Sequence, residues 1–194
     1  MSTAANSAID IAARALTLIG ANPISSFADA STEATIANNM YEDVARSSLC
    51  ATRWRFATNQ AQLNPLTAPP TGRFDIAHQL PSNLLMLHAL TVNDMLIQYS
   101  VYGDKVFSNT TASDIVVADY TFRASEVDWP SYFTLAVQFQ LAAIFASSIA
   151  RDDGLTQVME QKAERLMAKA RNLDSQQQTT RKLVTNRFRT ERLS

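Results

Sequence analysis

The sequence predicts an α+β fold, in which an antiparallel helix bundle is interrupted by a small β-rich unit and followed by an extended C-terminal tail. Apolar residues recur at helical spacing near both ends of the chain, and short runs rich in Val, Ile, Thr, Tyr and Phe fill its middle. The final segment is basic and loses the apolar stripe. We therefore predict a discontinuous bundle over residues 1–52 and 129–175, a β-rich insertion over 53–128 and a basic tail over 176–194.

Two helices are predicted before the β-rich unit. Over about residues 4–19, apolar residues recur at three- and four-residue spacing, and Gly20 stands where a left-handed C-terminal cap is expected. Pro23 prevents the helix from continuing. A second helix is predicted to begin near Ser31 or Thr32, since hydroxyl side chains cap the first amides of a helix.

The middle block contains strand and turn signals. Residues 96–101 and 105–107 flank Tyr102-Gly103-Asp104, a pattern that predicts a β-hairpin. A further strand is predicted over 115–122, and prolines mark a long loop over 63–73. Near the start of the block, Trp54 and Phe56 are interpreted as core anchors of the β-unit rather than as a platform on which bases stack.

Helical spacing returns after the β-rich unit. Residues 133–150 are apolar on nearly every face, which predicts a central helix buried on all sides. Asp152 or Asp153 is then expected to cap a long amphipathic helix. Its apolar residues recur at nearly heptad spacing from Leu155 to Leu173.

The tail is the candidate interaction site. It is too poor in apolar residues to fold alone, but its arginines can pair with carboxylates of a partner. The candidate residues for an interface with a partner or a neighbouring subunit are Arg181, Lys182, Arg187, Phe188, Arg189 and Arg192.

Composition excludes several function classes. The formal net charge is −1, so no global field attracts nucleic acid or an anionic membrane. The charged fraction of 18% is below the roughly 25% of soluble domains, which suits a protein whose faces are covered by partners. Cys50 is the sole cysteine, so no intrachain disulfide forms. No signal peptide and no membrane span are expected.

Catalytic and metal-binding residues are not evident in the sequence. His78 and His88 lack further ligands at zinc spacing, and each is interpreted as a surface or sheet histidine. Cys50 lies at the end of an amphipathic helix and is interpreted as a small buried apolar residue. No nucleophile elbow, phosphate loop or dinucleotide fingerprint is present. We therefore expect a protein that is not an enzyme and binds no cofactor or metal.

Four patterns, in order along the chain, carry a resemblance to a known family. They are residues 15–26 (ALTLIGANPISS), Tyr41, Arg46 and Leu49 followed by Trp54-Arg55-Phe56-Ala57, Leu80-Pro81 followed by Leu84, and the Ala-rich helix over 141–150 followed by the long helix that ends in Ala170 and Asp174. Together they span nearly the whole chain. The chain resembles the tail tubular protein A family, the head-to-tail adaptors of short-tailed bacteriophages.

The resemblance implies a structural virion protein. It implies a subunit of a homo-oligomeric ring, a dodecamer, which joins the portal vertex of the capsid to the tail nozzle (a protein of the tail tubular protein B type). Tail fibres are a further implied partner, and DNA passes through the ring lumen. Such a subunit is present in the host cytoplasm during assembly and in the neck of the virion afterwards.

Two other functions remain open at this stage. One is a nucleic-acid-binding or regulatory α+β protein whose basic tail contacts phosphates, and salt-dependent DNA affinity would favour it. The other is a small hydrolase acting on cell-envelope sugars. It would require two carboxylates facing each other at roughly 5–9.5 Å.

Overall fold

The computed structural model describes residues 5–67 and 72–177, and these form four α-helices and seven β-strands. In chain order the elements are α1 (Ala8–Leu18), α2 (Thr32–Cys50), β1 (Thr58–Leu63), β2 (Ile76–Gln79), β3 (Leu84–Val92), β4 (Met95–Leu96), β5 (Tyr99–Tyr102), β6 (Lys105–Ser108), β7 (Val116–Phe122), α3 (Ser131–Phe145) and α4 (Asp153–Gln176). The predicted α+β class is confirmed. The exact division into bundle, insertion and tail stays a prediction.

The ends of α1 and α2 follow the local sequence signals. Gly20 adopts a φ of 76°, which an L side chain rarely adopts. Its amide donates to the Thr17 carbonyl, and the Ala21 amide donates to the Leu16 carbonyl, each at 3.1 Å. This pair of hydrogen bonds is the Schellman motif. At the start of α2, the Ser31 hydroxyl accepts an amide of the first turn, as predicted.

The strands form two antiparallel sheets. The larger sheet has the order β1-β7-β3-β4, and the smaller one has the order β2-β6-β5. The predicted hairpin is the pair β5–β6, and its turn contains Gly103 at a φ of 63°. A second hairpin, β3–β4, was not predicted. Its turn residues Asn93 and Asp94 both have positive φ, a conformation that short polar side chains tolerate in two-residue turns.

The two sheets share a small apolar core of their own. Its buried residues come from both sheets and from the start of the β2–β3 connection, namely Leu63, Leu80, Leu90, Val106, Val116, Ala118 and Tyr120. From Val116 to Tyr120, the buried side chains of β7 alternate with less buried ones at a period of two, as expected for a strand with one core face.

A larger core lies among the helices and contains a cluster of aromatic rings. Phe133 is fully buried, with its ring centroid 5.0 Å from Trp54, 4.9 Å from Phe56 and 4.9 Å from Trp129. The Trp54 indole donates to the Ser48 carbonyl at 2.9 Å. Trp54 and Phe56 are therefore anchors of the helical core. Their assignment to the β-unit was wrong, because both precede β1 and stay beside the end of α2.

Helix α3 packs against α1, α2 and α4 and is the most buried helix, with nine buried residues among its fifteen. The prediction of burial on all sides was nevertheless too strong. Leu135 is 42% exposed and Phe139 is half-buried, because the packed helices leave a strip of α3 uncovered. Among the described residues, the stretch Ser131–Ala150 alone has the length and apolar composition of a membrane span. Its packing is that of a core helix, since 56% of its most apolar window is buried.

A tight connection joins α3 to α4. A π-helical turn over Ala146–Ala150 continues α3, and Arg151 follows at a φ of 52°. The Asp152 carboxylate accepts the Leu155 amide at 2.9 Å, so the predicted cap is confirmed. Helix α4 continues to Gln176, three residues beyond the predicted end of its apolar stripe.

Candidate interaction surfaces

The residues chosen from the sequence as an interface lie outside the described part of the chain. All six belong to the segment 178–194. They are Arg181, Lys182, Arg187, Phe188, Arg189 and Arg192. The interaction surfaces described below are therefore ones that sequence reasoning did not identify.

A cluster centred on Arg123 connects α2 to the end of β7. The Arg123 guanidinium donates to Glu42 at 2.9 Å and to Glu126 at 2.5 Å, and lies 5.4 Å from the centroid of the Trp129 ring. The Tyr41 hydroxyl donates to the same Glu126 carboxylate at 3.1 Å. The Arg123–Glu42 and Tyr41–Glu126 contacts join residues more than eighty positions apart, so this cluster fixes the helices relative to the larger sheet.

The charges of the Arg123 cluster shift the pKa values of its members. Burial lowers the pKa of Arg123, but its hydrogen bonds to Glu42 and Glu126 outweigh burial and raise it. The hydrogen bond from Arg123 holds the pKa of Glu42 below its usual value. Burial, followed by repulsion from Glu126, raises the pKa of Tyr41. Arg123, Glu42 and Tyr41 therefore keep at neutral pH the ionisation states that their hydrogen bonds require.

A second cluster fixes the end of α4. The buried Asp174 carboxylate accepts the Arg55 amide at 3.1 Å and the Tyr132 hydroxyl at 2.9 Å. Burial and the hydrogen bond to Asp174 raise the pKa of Tyr132 to about 12. Asp174 also lines a polar pocket of about 590 Å³ together with Arg53 and Arg171. The contacts of Asp174 thus connect α4 to the start of α3 and to the chain just before β1.

The residues considered for catalysis are dispersed. His78 lies on β2, fully buried, and neither ring nitrogen has a hydrogen-bond partner among the described residues. The His88 Nε2 lies 2.8 Å from the Thr121 hydroxyl on the neighbouring strand. Burial lowers the pKa of both histidines and raises that of the half-buried Cys50. No three acidic, His or Cys side chains of residues 5–67 and 72–177 are grouped so as to hold a metal ion.

An apolar tip is exposed at one end of the larger sheet. Met95 and Leu96 form the edge strand β4 and are 71% and 77% exposed, and Ile115 just before β7 is 57% exposed. Met95 pairs with Val92 of β3, and Val92 pairs with Val116 at the start of β7. The apolar tip therefore lies at the Val116 end of β7. The other end of β7, at Phe122, packs on the helical core. The apolar tip therefore lies about 20 Å from the helices along the strand.

A helix groove of about 900 Å³ opens on the helical part of the molecule. Helices α2 and α4 both pack on α3 and leave the groove between them. Its apolar lining includes Val44, Ala143, Ile144, Ala163 and Met167, and its charged lining consists of Asp43, Glu160, Glu164 and Arg171. Ile144 of α3 lies in the groove and is half-buried, whereas the uncovered Leu135 and Phe139 lie outside its lining.

Sequence signals for both surfaces existed but were weak. The Asn93-Asp94 turn followed by two apolar residues could have indicated the apolar tip. Glu160 and Glu164 follow one another at four-residue spacing beside the apolar stripe of α4, which could have indicated the helix groove. Neither pattern distinguishes an interaction surface from an ordinary solvated face.

Comparison with known proteins identifies the family. A search of curated proteins gave no match. The model of the family described as "tail tubular protein" matches residues 7–180, which is nearly the whole chain. The match includes all helices and strands described above. The chain therefore belongs to the tail tubular protein family, whose members are structural proteins of phage tails.

Proposed function

We propose that this chain is the ring subunit of a head-to-tail adaptor, which joins the portal vertex of a short-tailed phage to the tail nozzle. Family membership supports a structural role in the tail. In this proposal the ring is a dodecamer, the subunit has no catalytic activity, and DNA passes through the lumen. Portal and nozzle proteins are its partners, with tail fibres as a further partner.

One observation carries the proposal. The apolar tip of the larger sheet and the helix groove are separate surfaces on different parts of the subunit, about 20 Å or more apart along β7. Soluble monomers rarely expose apolar residues in groups, and such groups mark interfaces. A subunit with two such surfaces can contact two different neighbours. A ring subunit that also holds a tail component needs at least two such surfaces, one towards a neighbouring subunit and one towards the tail.

The surfaces differ in a way that favours different partners. The apolar tip belongs to a rigid sheet whose edge strand is only two residues long. We assign it, with the neighbouring loops of the β-unit, to nozzle or fibre contacts, because loops on a rigid scaffold commonly carry recognition. The helical part and the basic segment 178–194 are assigned to neighbouring subunits and to the portal.

The direct test is to locate the protein in virions. Averaged micrographs of purified particles should show a ring of this protein between portal and nozzle, and quantitative mass spectrometry should give twelve copies for each particle. Finding the protein only in the capsid shell or the distal tail, or absent from virions, would overturn the proposal.

The tip assignment is tested by substitution. The double change Met95→Ser and Leu96→Ser removes apolar surface that is already exposed, so the fold should be retained. We expect particles whose adaptor ring is complete but which fail to retain the nozzle. The matched control is Val127→Ser, which alters an equally exposed apolar residue away from the tip. Full nozzle retention in the double variant would refute the assignment.

A further inference from the structure

The helix groove carries negative charge that the described residues do not neutralise. Asp43 of α2 and Glu160 and Glu164 of α4 line it, and no hydrogen bond or ion pair joins their carboxylates to any residue of the described part of the chain. One positive charge, that of Arg171, lies at the end nearest the C-terminus of α4. The floor between these charges is apolar, with Ala143 and Met167 buried and Ile144 half-buried. An occupant should therefore combine basic and apolar side chains.

Residues 178–194 have this combination. The segment contains five Arg or Lys residues against one acidic residue, Glu191, interspersed with Leu183, Val184, Phe188 and Leu193. The arginines can form charge-assisted hydrogen bonds with the carboxylates at the rim, and the apolar side chains can cover the floor. The charge and the polarity pattern of the segment thus complement those of the groove.

The segment is also long enough. The groove follows α4 from Thr156 to Arg171, which is about 22 Å at 1.5 Å per residue. Residues 178–194 span up to about 55 Å when extended. Some 30 Å therefore remains after the groove is filled, enough to cross from one subunit to the next. In a ring, head-to-tail contact of this kind repeats around the circle and closes.

We propose that the helix groove binds residues 178–194 of a second copy of this chain, so that each subunit of the ring holds the C-terminal segment of its neighbour. This inference rests on the proposed ring and specifies one contact within it. Carboxylates of Asp43, Glu160 and Glu164 bind the basic residues of the segment, and the apolar floor binds Phe188 and its apolar neighbours.

Disulfide trapping in the full-length chain tests the contact directly. In a Cys50→Ser background, Ser147→Cys places a thiol in the groove and Phe188→Cys places one in the segment. Mild oxidation should give covalent dimers and higher oligomers. The matched control pairs Phe188→Cys with Gln98→Cys, an exposed position on the β-unit, and should not cross-link. A cross-linked species of monomer mass would show that the segment binds its own groove and would overturn the proposal.

Charge exchange gives an independent measurement. A groove variant (Asp43→Lys, Glu160→Lys, Glu164→Lys) and a segment variant (Arg181→Glu, Lys182→Glu, Arg187→Glu) should each self-associate at least about tenfold more weakly than the wild type in sedimentation velocity. This estimate counts three exposed ion pairs in which repulsion replaces attraction. Mixing the two variants should restore association, because the acidic segments then meet basic grooves. Circular dichroism confirms that each variant is folded.

The outcomes separate this contact from the ring itself. If wild-type protein forms rings in virions while the thiols do not cross-link and charge reversal has no effect, the groove contact is refuted and the adaptor role stands. If the protein is absent from a ring in virions, the adaptor role fails, whatever the groove binds. If the mixed variants associate no better than each alone, electrostatic pairing between groove and segment is refuted.

Discussion

Replacing Arg123 with methionine should destabilise the protein by about 2–4 kcal/mol. Arg123 donates to the carboxylates of Glu42 and Glu126, and removing it leaves Glu126 without its cation and Glu42 with the exposed Arg46 alone. Removing one member of a buried ion pair typically costs about 3–5 kcal/mol. The value expected here is lower because the Glu42 side chain is 46% exposed and its carboxylate can regain water.

Urea unfolding followed by far-UV circular dichroism measures this loss. The matched control is Arg46→Met, because Arg46 binds the same Glu42 carboxylate at 2.6 Å but is 56% exposed. An exposed pair at this helical spacing contributes about 0.3–0.5 kcal/mol, so the control should change the free energy of unfolding by no more than that. Equal losses in the two variants would show that burial does not determine the strength of the Arg123 contacts.

The effect of Arg123→Met should depend on pH. The hydrogen bond from Arg123 lowers the pKa of Glu42 from its ordinary value of 4.5. A carboxylate with a lowered pKa in the folded state stabilises that state fully above its unfolded value, and the contribution is lost as pH falls through the folded value. The stability difference between wild type and variant should therefore be constant above about pH 4.5 and shrink below it. A difference that grows as pH falls would contradict this assignment.

Four further predictions concern other parts of the structure. Asp174→Ala should cost about 2–3 kcal/mol in urea unfolding, because the Arg55 amide and the Tyr132 hydroxyl lose their buried acceptor in two partly buried hydrogen bonds; a loss below about 0.5 kcal/mol would contradict this. Phe133→Ala should cost about 3–5 kcal/mol and Phe139→Ala clearly less, since the first ring is fully buried and the second only half-buried; the reverse order would refute the described packing. Gly20→Ala should lower the thermal midpoint of unfolding by roughly 2–4 °C, because φ at Gly20 is positive and an L side chain is strained in that conformation. For a chain of this size the shift corresponds to about 1 kcal/mol of unfolding free energy, and an unchanged midpoint would count against the left-handed cap. Duplex DNA should bind no more tightly than about 10⁻⁶ M at physiological salt, as measured by fluorescence anisotropy, and tighter salt-dependent binding would favour the nucleic-acid alternative.

The features that the sequence predicted correctly depend on local chemistry. Gly20, Ser31 and Asp152 each determine a helix end through groups within a few residues of themselves. The β5–β6 hairpin is likewise determined by Gly103 and the strands on either side of it. Such signals can be recognised without knowing which distant parts of the chain meet.

The features that the sequence did not predict depend on contacts between distant residues. Nothing near Arg123 indicates that its partner is Glu42, 81 positions away, and nothing near Asp174 indicates Arg55. The α3 sequence, apolar on nearly every face, gave no sign of an uncovered strip, because exposure depends on how the other helices pack around it. The helix groove could be found only from the packed helices, and its charges only from their placement around its rim.

The register of the larger sheet determines how the subunit responds to mechanical load. Strands β1 and β7 pair side by side, and both enter the helical part at the same end, at Thr58 and Thr121. A force applied to the apolar tip along the strands is transmitted from β3 to β7 through the hydrogen bonds between these two strands. This force loads the hydrogen bonds in shear, so they must break together rather than one after another. From β7 the force continues through covalent backbone into the helices. A partner held at Met95 and Leu96 would thus be tethered along the stiffest direction of the sheet, whereas a sideways pull on the two-residue strand β4 would peel it away with little resistance.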